Sequence, residues 1–286
     1  MMDELDRQQE QQETVQTDQA AESADFEEDL HLEMALASVT GNTAELNKLY
    51  RKLAMQTHPD QHNGQGNGDM VKLNQTVNKW RKEAELAAKV WSITAILDDS
   101  GSMKGQKQRD AITAFNNFVA GQQEVKLGQA NLTVCPLHNS FNYTLSNIVD
   151  KPIGELEKVP QKQFQCGGRT PLFDTIGFTI RRLEDQQLDP HCVVILIITD
   201  GEENDSRTWT VPTLRPVIEE KLELGWQFIY VTVDGRSRNT AERIGIPAKC
   251  IMTFQNFKEV FKVVGNSLTQ LRLGEIKQIT FEVEGK

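Results

Sequence analysis

The chain lacks any uninterrupted apolar stretch approaching the roughly 18 residues that a membrane span needs. Its N-terminus is acidic and rich in glutamine, whereas a secretory signal is basic and then apolar. We therefore expect a cytoplasmic protein with no membrane partner. Only four cysteines occur in 286 residues, and none forms a Cys-x-x-Cys pair, which argues against a zinc ribbon or a redox dithiol.

An excess of positive charge is also missing. The formal net charge is -10, and phosphate contacts depend largely on lysine and arginine, so we expect no nucleic-acid partner. Residues 1–25 contain almost no large apolar side chain and cannot bury enough surface to offset the entropy of ordering. We interpret them as a disordered acidic tail. Two roles stay open for this tail, solubilising the protein or masking a basic surface elsewhere.

Residues 26–90 have the apolar spacing of a small helical module. Its clearest segment is Ala44–Gln56, which has one apolar face and a basic face opposite it. The apolar face consists of Leu46, Leu49, Tyr50, Leu53 and Ala54, and the basic face of Lys48, Arg51 and Lys52. Pro59 and a glycine-rich stretch then interrupt the helix, and helical spacing returns over Met70–Lys89. The pattern predicts a helical hairpin.

From residue 91 to about 274, buried-strand patterns alternate with amphipathic helices, and residues 275–286 form a C-terminal extension. The predicted strands are Trp91–Leu97, Leu132–Leu137, Tyr143–Ile148, Cys192–Ile198, Phe228–Val233 and Cys250–Phe254. The predicted helices are Lys107–Ala120, Leu172–Leu188, Val217–Leu224, Ala241–Ile244 and Phe257–Leu273. This alternation predicts a doubly wound α/β domain with a mainly parallel sheet.

Side chains that carry oxygen follow the first predicted strand. Asp98, Ser100 and Ser102 alternate, so three oxygens can face one point, and Gly101 lets the backbone bend. Mg²⁺ and Mn²⁺ prefer such a mixture of carboxylates, hydroxyls and water, and ligands bind at the carboxyl ends of strands in these sheets. The same residues could instead form an ordinary capped turn. Asp99 and the acidic residues of 202–205 could tune the local charge, but we expect them to form a solvated acidic rim.

The segment Asp98-Asp-Ser-Gly-Ser102 resembles the metal-ion-dependent adhesion site of the von Willebrand factor A family. Gly167–Asp174, which opens a helix, is similar to the threonine loop of that family, and Ile198–Glu202 to its last loop. The resemblance implies that Ser100, Ser102 and Thr170 bind Mg²⁺ or Mn²⁺ directly, with Asp98 and Asp200 acting largely through water. It also implies that an acidic residue of a protein partner completes the coordination of the ion.

Features of the common enzyme classes do not accompany this loop. A haloacid-dehalogenase-type phosphatase needs a second aspartate where this chain has Ser100. The sequence contains no Gly-x-x-x-x-Gly-Lys phosphate loop and no Gly-x-Ser-x-Gly elbow. His138 and His191 lie outside the metal loops, so no nucleophile with its base is evident. We predict a protein that is not an enzyme.

The tripeptide His58-Pro59-Asp60 directly follows the basic helix. Together with Leu49–Met55 it resembles the second helix and loop of J-domains, co-chaperone modules that stimulate Hsp70 ATPases. The resemblance implies contact with an Hsp70 through Lys48, Arg51, Lys52, His58, Pro59 and Asp60. The chain departs from the J-domain pattern in three ways. Thr57 replaces the aromatic residue that often precedes the histidine, and Gln61 replaces the usual lysine after the aspartate. There is also no room for a fourth helix before Trp91.

Two functional hypotheses follow. In the first, the A-type domain is a metal-dependent adaptor for an acidic client and the J-like module recruits or stimulates an Hsp70. In the second, the A-type domain is a scaffold subunit docked on an ATPase or a larger assembly, and the helices are purely structural. The partners obtained with and without a chelator would separate the two.

Overall fold

In a computed structural model of the protein, the described residues are 30–38, 40–56, 67–137, 148–159, 166–200, 202–232, 235–254 and 256–281. The chain divides into two compact units, Met1–Ala88 and Lys89–Lys286. Within the described ranges, no helix has the length and apolar character that crossing a bilayer requires. The predicted tail 1–25, residues His58 to Asp60 and most of the predicted strand Tyr143–Ile148 lie outside these ranges.

The first unit consists of helices that bury one apolar face each. Helix α1 covers residues 30–38, α2 covers Thr43–Gln56 and α3 covers Asn67–Ala87. Their shared core includes Leu30, Met34, Leu46, Leu49, Leu53, Leu73 and Val77. In α2 the buried residues recur every three or four positions, as a helix with one buried face requires. The predicted helical pattern is therefore found in both α2 and α3.

Polar contacts define how α2 begins and how it faces α3. The side chain of Asn42 accepts a hydrogen bond from the backbone N–H of Glu45 at 3.1 Å, which caps the helix. Tyr50 Oη donates to Asn74 Oδ1 at 2.8 Å, and Arg81 Nε donates to Asn47 Oδ1 at 3.0 Å. These bonds join α2 and α3 at the edge of their apolar contact.

The second unit is built on a six-stranded sheet in the order β3-β2-β1-β4-β5-β6. The strands are β1 Val90–Leu97, β2 Gln129–Pro136, β3 Lys151–Pro152, β4 Val193–Thr199, β5 Gln227–Thr232 and β6 Ile251–Thr253. All neighbouring pairs are parallel except β2 and β3, which are antiparallel. The predicted α/β class with a mainly parallel sheet is confirmed.

Helices cover both faces of this sheet. They are α4 Gln106–Gln123, α5 Leu172–Glu184, α6 Val211–Leu224, α7 Gly235–Arg243 and α8 Phe257–Arg272. The central strand β4 shows why both faces need cover, since all seven of its residues are buried. Val194, Leu196 and Ile198 face the core that α4 and α8 complete. The alternate side chains of β4 face the core that α5, α6 and α7 complete.

Several element boundaries differ from the sequence prediction, and β3 was not predicted. Helix α5 ends at Glu184 rather than Leu188, and α7 begins at Gly235 rather than Ala241. Helix α6 begins at Val211 rather than Val217, because a capping box between Thr210 and Thr213 starts it ahead of Pro216. The predicted C-terminal extension packs on the sheet as far as residue 281. Ile279 is buried, and its backbone N–H donates to Gln227 Oε1 at 3.2 Å.

Candidate functional site

The candidate site lies at the carboxyl ends of β1 and β4, the two central neighbours of the sheet. The strands that follow β1 in sequence extend the sheet to one side, whereas those that follow β4 extend it to the other. Connections leave in opposite directions at such a point and open a crevice between them. Asp98 follows β1 and Asp200 follows β4, so the strand order brings together two carboxylates that are distant in sequence.

A chain of hydrogen bonds links the predicted ligands of the two loops. Ser100 Oγ and Ser102 Oγ lie 2.9 Å apart. Ser102 Oγ donates to Asp200 Oδ1 at 2.7 Å, and Lys107 Nζ contacts Asp200 Oδ2 at 2.7 Å. The Asp200 side chain is only 2% exposed. Asp98 lies on the same loop as the two serines. Four of the five predicted ligands, Asp98, Ser100, Ser102 and Asp200, are therefore close together.

Hydrogen bonds to the end of β4 and to its own loop hold Asp98 in place. Its backbone N–H donates to the carbonyl of Ile198 at 2.9 Å, which continues the pairing of β1 with β4. Asp98 Oδ1 accepts from the backbone N–H of Ser100 at 2.8 Å, and Asp98 Oδ2 accepts from Thr199 Oγ1 at 2.6 Å. Charge-assisted bonds of this length fix the orientation of the carboxylate.

Thr170 lies on a separate loop, and within the described residues its hydroxyl makes no hydrogen bond to the other four predicted ligands. The backbone N–H of Gly167 donates to the carbonyl of Asp99 at 2.8 Å, so this loop is joined directly to the loop after β1. The backbone N–H of Thr170 donates to Asn204 Oδ1 at 2.9 Å, and the N–H of Asn204 donates back to the Thr170 carbonyl at 3.2 Å. Thr170 is 3% exposed.

The segment after β4 has a role that the sequence prediction missed. Glu203 is bonded internally: its carboxylate accepts from the N–H groups of Phe173, Asp205 and Ser206 at 2.7 to 2.9 Å and from the Ser206 hydroxyl at 2.6 Å. Asp99 is 1% exposed. The expected solvated acidic rim is therefore wrong at Asp99 and Glu203, while the side chain of Glu202 is half exposed at 50%.

Asp174, at the start of α5, completes the attachment of this segment. Its carboxylate accepts the backbone N–H groups of three consecutive residues, Arg207, Thr208 and Trp209, at 2.6 to 3.0 Å. The indole of Trp209 then lies against Gly177, where a Cβ atom would overlap it. The segment after β4 is thereby bound to the first turns of α5, directly beside the loop that carries Thr170.

The electrostatic character of the site favours cations. Cys166 lies at the start of the Thr170 loop, and burial, followed by the carboxylates of Asp99 and Asp98, raises the pKa of its thiol. Burial is the larger cause and opposes any charge, whereas the negative charges of Asp99 and Asp98 are the part of this environment that attracts a cation. Lys107 is the cation that lies closest to Asp200, and its side chain is 55% exposed.

The donor set fits a magnesium-sized ion. Oxygen ligands at 2.0 to 2.1 Å from an octahedral ion lie about 2.9 Å from their neighbours. The Ser100–Ser102 separation of 2.9 Å and the Ser102–Asp200 separation of 2.7 Å are hydrogen-bond lengths that are compatible with that spacing. Within the described ranges, no group of three or more histidine, cysteine, aspartate or glutamate side chains has a metal-binding arrangement. The candidate set differs from such groups because three of its five residues, Ser100, Ser102 and Thr170, carry hydroxyls.

The residues predicted to contact an Hsp70 fall into two groups. Lys48, Arg51 and Lys52 are exposed on α2, and Lys48 pairs with Glu45 at 3.1 Å. His58, Pro59 and Asp60 lie outside the described residues, so the structure does not relate them to the basic face. The four cysteines are free thiols, and three of them are buried.

The chain matches no protein-family model and no curated protein. It is similar to the solved structure of the open conformation of the pilus adhesin SpaC from Lactobacillus rhamnosus GG, with 11% identity and a TM-score of 0.48. It is similar to proximal thread matrix protein 1 of the mussel byssus, with 15% identity and a TM-score of 0.42. It is also similar to the PilB minor pilin from Streptococcus sanguinis, with 12% identity and a TM-score of 0.43.

These similarities cover 66%, 65% and 70% of this chain, in that order. The chain spans 30%, 49% and 64% of the length of the respective proteins.

Proposed function

We propose that the second unit is a von Willebrand factor A-type domain that binds an acidic protein segment through a divalent ion and does not act as an enzyme. The supporting observation is the hydrogen-bonded row Ser100–Ser102–Asp200 at the strand ends, with the Asp98 carboxylate fixed beside it. Asp98, Ser100, Ser102, Thr170 and Asp200 would hold Mg²⁺ or Mn²⁺. The ion would supply positive charge and a coordination position for a carboxylate of the partner.

The residues of the chain prepare the site for this role. The Thr199 hydroxyl and the backbone N–H of Ser100 orient the Asp98 carboxylate. The hydroxyls of Ser100 and Ser102 are therefore not needed to hold that carboxylate. The serines and Asp200 then face one another at distances suited to a shared ion. Because the carboxylates belong to different strands, the arrangement depends on the intact sheet.

Calorimetry tests the metal directly. We expect the full chain to take up a single Mg²⁺ or Mn²⁺ ion, and we expect Ser100→Ala or Asp98→Ala to weaken uptake at least about tenfold. Ser267→Ala, a hydroxyl on α8 away from the site, is the matched control. Capture of the client should fail with Thr170→Ala and in EDTA. An absence of uptake by the unmodified chain would reject the metal mechanism.

For the first unit we propose a J-like role in recruiting or stimulating an Hsp70. The exposed positive charges of Lys48, Arg51 and Lys52 on α2 support this proposal, because such a face attracts an acidic partner surface. Stimulation of an Hsp70 ATPase by the full chain is the test, with Asp60→Asn expected to abolish it. Asp69→Asn changes an acidic residue of the same stretch and should leave stimulation intact.

The scaffold hypothesis makes a different prediction. If the helices are purely structural, the full chain leaves the Hsp70 ATPase rate unchanged. A pull-down then recovers an ATPase or a larger assembly, and no Hsp70. The apolar core that α1, α2 and α3 share would suit either role.

A further inference from the structure

A surface groove runs between α4 and α8 and begins at the candidate site. Its first part has a volume of about 510 Å³ and is lined by Lys107 and Asp200 at the site and by Asn117 and Lys258 further along. A second depression of about 330 Å³ shares Ala114, Asn117 and Lys258 with the first. The two parts therefore form one groove that leads away from Asp200.

Small side chains between larger ones shape this groove. A Cβ atom at Gly121 would meet no atom within 4 Å, and one at Gly265 would lie 3.4 Å from the ring of Phe118. The rings of Phe118 and Phe261 lie beneath the floor of the groove and are each only 3% exposed, so the accessible walls are mainly polar. Along α4, the wall from Asp110 to Gly121 is about 16 Å long. An extended peptide of about five residues has that length.

The charges along the α8 wall are positive. Lys258 and Lys262 are exposed and stand one helical turn apart. Across the described ranges, neither lysine takes part in an ion pair. Of the two carboxylates that line the groove, Asp110 accepts a hydrogen bond from Gln106 and Asp200 already contacts Lys107. The outer part of the groove therefore attracts acidic side chains.

We propose that this groove binds an extended segment of a partner protein in which every second residue is acidic. Residues four apart on a helix lie about 6 Å from each other, and alternate residues of an extended chain lie about 6.7 Å apart on one face. Successive acidic side chains therefore match Lys258 and Lys262, while the side chains between them point to the α4 wall, where Thr113 and Asn117 are exposed. The inference rests on the proposed function in one respect: the acidic residue of the partner segment that precedes the two at Lys258 and Lys262 binds the ion at the candidate site.

The test uses a fluorescein-labelled peptide of five aspartates alternating with five serines, titrated with the full chain in Mg²⁺. The control peptide has the same composition with all aspartates first, and it should bind several-fold more weakly. We expect the double variant Lys258→Glu and Lys262→Glu to weaken binding of the alternating peptide about tenfold. The matched variant Lys126→Glu and Lys277→Glu, which changes the charge equally at exposed positions outside the groove, should stay within about twofold.

The outcomes separate the groove from the metal site. If Mg²⁺ is taken up but the Lys258 and Lys262 variant binds the peptide normally, the groove proposal is overturned and metal-dependent binding stands. If Mg²⁺ uptake fails but the variant still weakens peptide binding, the groove is supported without the ion. Equal affinity for both peptides, or tighter binding of a single-stranded oligonucleotide, would overturn the alternating acidic segment as the occupant.

Discussion

The loop after β1 and the loop before α5 meet at the same site but are held by different means. The first is anchored from the sheet, since Asp98 bonds to the backbone of Ile198 and the side chain of Thr199. The second is anchored mainly by a third segment, residues 203–209, through bonds to Asn204 and Glu203. The position of Asp98 therefore follows from strand pairing, whereas the position of Thr170 depends on the side chains of Asn204 and Glu203, which are outside the predicted ligand set.

The largest expected effect comes from Asp174, whose buried carboxylate accepts three backbone N–H groups. Asp174→Ala leaves those donors without a partner, so we expect the free energy of unfolding to fall by about 3 kcal/mol. Urea denaturation followed by tryptophan fluorescence measures this. Asp185→Ala, at an exposed position just after α5, should change stability by less than about 0.5 kcal/mol. Equal effects would show that the third segment does not anchor the loop.

Adjacent glutamates sharpen the comparison. Glu203→Gln replaces an internally bonded carboxylate by an amide that cannot accept all of its hydrogen bonds, so we expect a loss of about 2 kcal/mol. Glu202 is 50% exposed and lies 3.6 Å from Arg236, so Glu202→Gln should cost less than about 0.5 kcal/mol. The midpoints of urea unfolding for the two variants provide the measurement. The reverse order would contradict the assigned roles.

Two buried threonines test the anchor of the first loop. Thr199→Val removes the hydroxyl that bonds Asp98, and we expect a loss of about 1 to 2 kcal/mol together with about tenfold weaker Mg²⁺ binding. Thr94, on β1, is fully buried, and its hydroxyl has no hydrogen-bond partner within the described residues. Thr94→Val should therefore be neutral or stabilising. Thermal unfolding and calorimetry compare the pair, and matching losses would argue against a special role for Thr199.

The smallest effect on stability is expected at Lys107. Its side chain is 55% exposed, so Lys107→Met should change the free energy of unfolding by less than about 0.5 kcal/mol. Removing a positive charge 2.7 Å from Asp200 should instead raise Mg²⁺ affinity by roughly threefold to tenfold. Lys126→Met is the distant control in the same titration. A weaker affinity in Lys107→Met would mean that Lys107 supports the site instead of competing with the ion.

The periodic features of the chain were predictable from sequence. The run from Val193 to Thr199 is buried along its whole length, so its apolar composition alone marks a central strand. Asp98 and Asp200 follow strands directly, which places them at the edge where ligands bind. Helix α6 was predicted too short, since the predicted helix began at Val217, and the contribution of the Thr210 cap required the structure.

The partners of the site residues were not predictable in the same way. Ser102 and Asp200 are 98 positions apart, and Thr199 and Asp98 are 101 apart. Glu202 and Glu203 are adjacent and chemically identical, yet one is half exposed and the other is bonded to four groups. No periodicity distinguishes such neighbours, because their roles depend on which backbone N–H groups the fold brings to them.

By itself, the sequence determined the alternation of strands and helices and the oxygen-bearing residues that end β1 and β4, because burial imposes a periodic pattern on the chain. The tertiary structure alone decided that Asp174, Glu203 and Thr199 support the site and that α4 and α8 leave a lysine-lined groove beside it. These contacts depend on strand order and on the packing of segments far apart in the chain, which local composition does not encode.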